Sequence, residues 1–143
     1  MNNLDLAKTT LLENDYSIVV VKEDKVVNTS NKNGLKPILD LYNDDKSLLN
    51  GASVADKVIG KAAALLLIDA GIKEFYTDLI SENAISILDD TNIKYIYKTK
   101  VREIRNRDNT GRCPMEELAL TSANADELLA KIKDKFNKWI QKN

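Results

Sequence analysis

Apolar positions along this chain switch between helical and extended spacing, and the switches mark out a series of elements. Leu4, Ala7, Leu11 and Leu12 recur at helical intervals and predict an amphipathic helix over residues 4–13. Tyr16 to Lys22 predicts a strand whose Ile18-Val19-Val20-Val21 run is continuous enough to be buried on both faces. Glu23-Asp24 predicts a tight turn, with Lys25 to Thr29 returning as a hairpin partner. After a polar loop from Ser30 to Gly34, a short helix tolerates Pro37 in its first turn and turns Leu35, Ile38, Leu39 and Tyr42 inward.

The next predicted helix is the most apolar part of the chain. Ser53 is placed to cap it, with Asp56 completing a capping-box-like start, and from Val58 to Ala70 only Lys61 and Asp69 are charged. A helix so uniformly apolar belongs against the centre of a sheet. Gly71 stands where glycine favours ending a helix. Strand Glu74 to Ile80, helix Glu82 to Leu88 and strand Ile93 to Lys100 follow, then a polar loop from Arg102 to Gly111. Pro114 opens a short helix to Leu120. A closing helix over about 124–142 carries an apolar stripe of Leu128, Leu129, Ile132, Phe136, Trp139 and Ile140. Its opposite face carries Lys131, Lys133, Lys135, Lys138 and Lys142, interleaved with acidic residues as a solvated face would be. Alternation of strands and helices after an initial hairpin predicts a single-domain three-layer α/β/α sandwich with a mixed sheet of four or five strands.

Composition narrows the chemistry. The chain has no histidine and one cysteine, Cys113, so it cannot assemble a zinc site from imidazoles and thiolates. A hard cation such as Mg²⁺ needs only oxygen ligands. The acidic doublets Asp44-Asp45 and Asp89-Asp90 each fall at a predicted helix end, where solvated termini account for them, and no metal or cofactor is expected. A net charge of −1 and a pI near 5.5 argue against general nucleic-acid binding. The start Met-Asn-Asn-Leu-Asp lacks the regions of a signal peptide, the run Ala62 to Ile68 is too short to span a bilayer, and a lone thiol suits a reducing compartment. These features predict a cytoplasmic protein with no membrane partner. A homodimer stays open.

Four features carry candidate chemistry. All the arginines, Arg102, Arg105, Arg107 and Arg112, fall within one stretch while lysines are scattered. Guanidinium groups hold phosphate and carboxylate through paired hydrogen bonds, which points to an anionic ligand. The alternative is a solvated loop paired with Glu103 and Asp108. In Arg112-Cys113-Pro114-Met115-Glu116, Cys113 is expected at a helix N-cap, where the dipole and Arg112 favour its thiolate, with Glu116 bonding back to the cap's amide. That arrangement offers either a nucleophile with Glu116 or Lys61 as proton acceptor, or a small structural thiol beside a capping glutamate. Lys61 interrupts a buried face beside Gly60, a residue that permits close approach of another backbone. It reads as a base, nucleophile or anion anchor, or as a side chain that reaches solvent. The Gly60-Lys61 pair is not a phosphate-binding P-loop, because Ala62 replaces the required hydroxyl. Ser81 after a strand is a helix cap and a generic anion site.

Taken together, Asp56-Lys-Val-Ile-Gly-Lys-Ala-Ala-Ala64, Ile80-Ser-Glu82, Asn106-Arg107 and Cys113-Pro-Met-Glu116 resemble the uncharacterised DUF1893 (TM1506-like) family, from the first helix to about Leu120. The resemblance implies a fold similar to cytidine deaminases and no established activity. Zinc deaminases carry His-x-Glu or Cys-x-Glu at one helix start and Pro-Cys-x-x-Cys at the next. Here those positions hold Gly60-Lys61-Ala62-Ala63 and Ser81-Glu82-Asn83-Ala84, so the resemblance implies the scaffold and a cleft without zinc chemistry. On that scaffold Asp56, Lys61, Ser81, Arg107, Cys113 and Glu116 are expected to converge, with Arg105 and Arg112 nearby. The expected function is binding of an anionic or nucleotide-like small molecule. The alternatives are a zinc-independent enzyme using Cys113 or Lys61 with Glu116, and a non-catalytic interaction or regulatory module.

Overall fold

The computed structural model describes residues 1–106 and 108–142, with side chains described to residue 136. Its elements are α1 (Asn3–Glu13), β1 (Ile18–Lys22), β2 (Lys25–Ser30), α2 (Lys36–Asp44), α3 (Lys46–Leu49), β3 (Ser53–Ile59), α4 (Lys61–Ala70), β4 (Glu74–Ser81), α5 (Glu82–Leu88), β5 (Lys94–Val101), α6 (Pro114–Leu120) and α7 (Ala125–Lys142). The five strands form one sheet in the order β2-β1-β3-β4-β5. β1 runs antiparallel to both neighbours, whereas β3, β4 and β5 are parallel. The predicted mixed sheet with helices on both faces is the fold observed.

The two faces are unequal. On one, Leu4, Ala7 and Leu11 of α1 pack on Val19, Val21, Ala55 and Tyr76. On the other, α2 to α7 enclose the main core, in which Ile18, Val20, Val54 and Phe75 from the sheet meet Leu66 and Leu67 of α4. Complete burial of such a side chain contributes about 1.5–3 kcal/mol, so α4 anchors the domain. The β1–β2 hairpin turns on Glu23 and Asp24, both at positive φ, the twist that two-residue hairpins favour.

The main correction to the sequence reading concerns residues 53–59. Ser53 and Asp56 do not start a helix: they lie in β3, the central strand of the sheet. Val54, Val58 and Ile59 are β-branched and favour extended backbone, while Asp56-Lys57 imitates a helix entry. The helix begins at Lys61, with Gly60 as its N-cap. The one-turn α3 is a second element that apolar spacing did not reveal, because four residues are too few to show a period. The backbone of α7 runs through residues 125–142, but Lys138, Trp139, Ile140 and Lys142 lie outside the described side chains.

Candidate functional site

A cleft of about 760 Å³ opens where the chain leaves β3 to start α4. Open α/β sheets commonly place ligand sites there, beyond the carboxyl ends of parallel strands. Its walls are mostly apolar: Leu35 and Ile38 come from the start of α2, Val58 from β3, Ala63 from α4, Ile104 from the segment leading into α6 and Met115 from the first turn of α6. Val58 is 41% exposed, a β-branched side chain left open beside the cleft. Polar groups are few: Asn33, Asp56, Arg105, Asn106, Cys113 and Glu116 are among them. An apolar trough with a handful of polar groups is the usual character of a small-molecule site.

Asp56 is the most unusual of these groups. It is buried, on the strand face that carries Val54, and the Val58 amide donates to its Oδ1 at 3.1 Å. No cation among the described residues forms an ion pair with it. Its neighbour Lys57 extends instead to Asp15, at 3.8 Å. Burial pushes the Asp56 carboxyl up to about 8, and backbone hydrogen bonds from Val58 and Lys57 offset only part of that rise. At neutral pH it is therefore mostly a carboxylic acid, which both donates and accepts hydrogen bonds.

Glu116 has a different task. One carboxylate oxygen accepts the Lys61 amide at 2.6 Å and the other accepts the Ala62 amide at 2.7 Å. These are amides of the first turn of α4, which its own N-cap, Gly60, has no side chain to satisfy. The expected bond from Glu116 back to the Cys113 amide is absent, because that amide donates to the Ile104 carbonyl at 2.9 Å. Burial raises the Glu116 carboxyl, against the opposing pull of the two amides and the charges of Lys61 and Arg112. A Cβ at Gly60 would overlap the Glu116 carboxylate, so a side chain there would displace that carboxylate from the two amides it holds. The close approach anticipated at this glycine is that of a side chain rather than a backbone.

The remaining candidates divide between the cleft and its surroundings. Cys113 is half-buried at the N-cap of α6 and lines the cleft. Lys61 stands at the start of α4, but its Nζ donates to the Leu120 carbonyl at 3.4 Å, at the far end of α6. Ser81 is fully buried and caps α5, accepting the Ala84 amide at 3.1 Å. Arg105 lines the cleft with its guanidinium held by Glu103 at 2.9 Å and by Asn109. Arg112 bonds the same Glu103 at 3.0 Å and Glu117 at 2.7 Å. Arg107 lies outside the described residues. The structure thus brings Asp56, Cys113, Glu116 and Arg105 to one cleft, while the functional groups of Lys61 and Ser81 serve helix ends. Sequence reasoning missed Asn33 and Val58, since neither a loop asparagine nor a strand valine carries a local signal of facing a cavity.

Among the described residues no group of three or more acidic or thiol side chains is placed to hold a metal ion. Nor is any helix of the described residues long and apolar enough to cross a membrane. The family model described as a domain of unknown function, DUF1893 (TM1506), matches residues 6–136. The crystal structure of a DUF1893 family protein (TM1506) from Thermotoga maritima is similar over 94% of this chain and 91% of that one, with 26% identity and a TM-score of 0.83. No functionally curated protein matches the chain.

Proposed function

The chain belongs to the DUF1893 (TM1506) family of domains of unknown function, and within it we propose a small-molecule-binding domain whose ligand occupies the cleft beyond β3. One observation carries this reading: Asp56 is a buried carboxyl without a cationic partner among the described residues, set in an apolar cleft. Burying an ionised carboxyl costs several kcal/mol, which Asp56 avoids by holding its proton in the cleft. A ligand with a hydrogen-bonding edge can pair with that carboxyl inside the apolar cleft.

The ligand is nucleotide-like in its division of polarity. A flat apolar body fits between Leu35, Val58 and Met115, a polar edge meets Asp56, and an anionic end faces Arg105 and Asn106 at the rim. For Arg105 to take a phosphate or carboxylate, it exchanges its contacts with Glu103 and Asn109 for the ligand. The covalent reading, with Cys113 as nucleophile, draws on the position of its thiol on the cleft wall. It is the weaker of the two, because both oxygens of Glu116 are already committed to helix amides.

A thermal-shift screen against nucleosides, nucleotides, sugar phosphates and small heterocycles tests the proposal. A ligand at about 100 times its dissociation constant stabilises by roughly 2.7 kcal/mol, a rise of several degrees for a domain of this size. Val58→Trp, which fills the cleft from an exposed position, should abolish the rise. A hit that survives Val58→Trp, or no hit across the panel, contradicts the reading.

A further inference from the structure

The polar edge that Asp56 receives can be specified further. We infer that the cleft selects a flat heterocycle presenting a hydrogen-bond donor and an acceptor on adjacent atoms, paired edge-on with the Asp56 carboxyl; this rests on the small-molecule reading of the cleft.

Asp56 lies on the central strand, buried, with the Val58 amide donating to Oδ1, so that Oδ2 is the oxygen placed to carry a proton. A carboxylic acid in that state donates O–H from one oxygen and accepts N–H at the other. Its complement is an adjacent donor–acceptor pair, such as the edge of an aminopyrimidine or of a cyclic amide. Both present two hydrogen bonds in one plane, and the apolar walls at Val58, Ile104 and Met115 suit the flat faces of the ring. An anion is disfavoured at this depth. Glu116 also lines the cleft, and its basic groups, Lys57 and Arg105, are turned to Asp15 and Glu103. The charged or titratable groups on the cleft wall are Lys57, Arg105, Cys113 and Glu116, with Lys61 directed to Leu120.

Pairing of this kind requires the protonated carboxyl, so the affinity for an uncharged ligand should track the proton on Asp56, which leaves near pH 8. The test is an NMR titration of the labelled full chain with 2-aminopyrimidine, 2-pyridone and benzoate, from about pH 6 to about pH 10. For either uncharged ring, amide shifts should centre on Asp56, Val58 and Gly60. The dissociation constant should stay flat below neutrality and rise about tenfold per pH unit above pH 8. Benzoate should bind more weakly than both. Asp56→Asn keeps a donor and an acceptor and should bind with the pH dependence gone, whereas Asp56→Leu should not bind. A pH dependence that persists in Asp56→Asn would assign it to another group on the cleft wall and overturn the inference. Cleft shifts whose affinity is flat to pH 10 and unaltered by Asp56→Leu would also overturn it, while leaving the cleft as a ligand site. No shift at the cleft amides with any probe would sink both claims.

Discussion

Glu116 and Gly60 are built around one another: the carboxylate of the first fills the space that a side chain on the second would need. The contact ties α6 to the N-terminus of α4 across more than fifty residues of sequence, and closes the helix end that borders the cleft. Gly60→Ala should therefore cost about 1–3 kcal/mol, as overpacking in a tight site does. A double-mutant cycle by urea unfolding checks the cause. With Glu116→Ala in place, Gly60→Ala should cost well under half as much.

Glu116→Ala alone should destabilise by about 2–4 kcal/mol, because two first-turn amides lose their acceptors and the Ala62 amide is buried. Urea unfolding of the variant measures this. A loss below about 0.5 kcal/mol would mean that water replaces the carboxylate without penalty.

Asp56 makes stability depend on pH, with a definite sign. Its carboxyl titrates near 3.8 when unfolded and near 8 when folded, so between those values the folded chain holds a proton that the unfolded chain has lost. The slope of unfolding free energy with pH is negative there. This group's contribution is fully present below about pH 4 and is lost as pH rises to about 8. Asp56→Asn, which cannot ionise, should raise the melting temperature by several degrees at pH 8 and by almost nothing at pH 4. A variant that is less stable at pH 8 would show that the ionised carboxylate is well accommodated.

Lys61→Met separates a structural lysine from a chemical one. The Nζ contact with Leu120 is long and half-exposed, so its loss should cost no more than about 1 kcal/mol. Ligand affinity in the cleft should change less than threefold. A collapse of affinity would return Lys61 to the site.

Most of this architecture is legible in the apolar pattern: α1 carries a helical period, while the unbroken apolar runs of β1 and of α4 mark buried elements. β3 is not, since its polar pair Asp56-Lys57 sits where the strand meets the cleft and breaks the alternation. That misreading and the site have one origin: an acidic residue in the middle of a central strand contradicts local preference because it faces a cavity. Cys113 at an N-cap and Ser81 as a cap follow from local rules. The partners of Glu116 and Lys61 do not, because they lie more than fifty residues away and depend on how α6 meets α4.

A small molecule bound in the cleft beside Asp56 shifts the amides that line it. The most direct measurement is a ¹H–¹⁵N correlation spectrum of the chain titrated with the strongest ligand from the thermal screen. The largest shifts should fall on Asp56, Val58, Gly60 and Cys113, and they should vanish in Val58→Trp. Shifts centred on the outer face of α7, or on the β5 edge, with the cleft amides unmoved would contradict binding there.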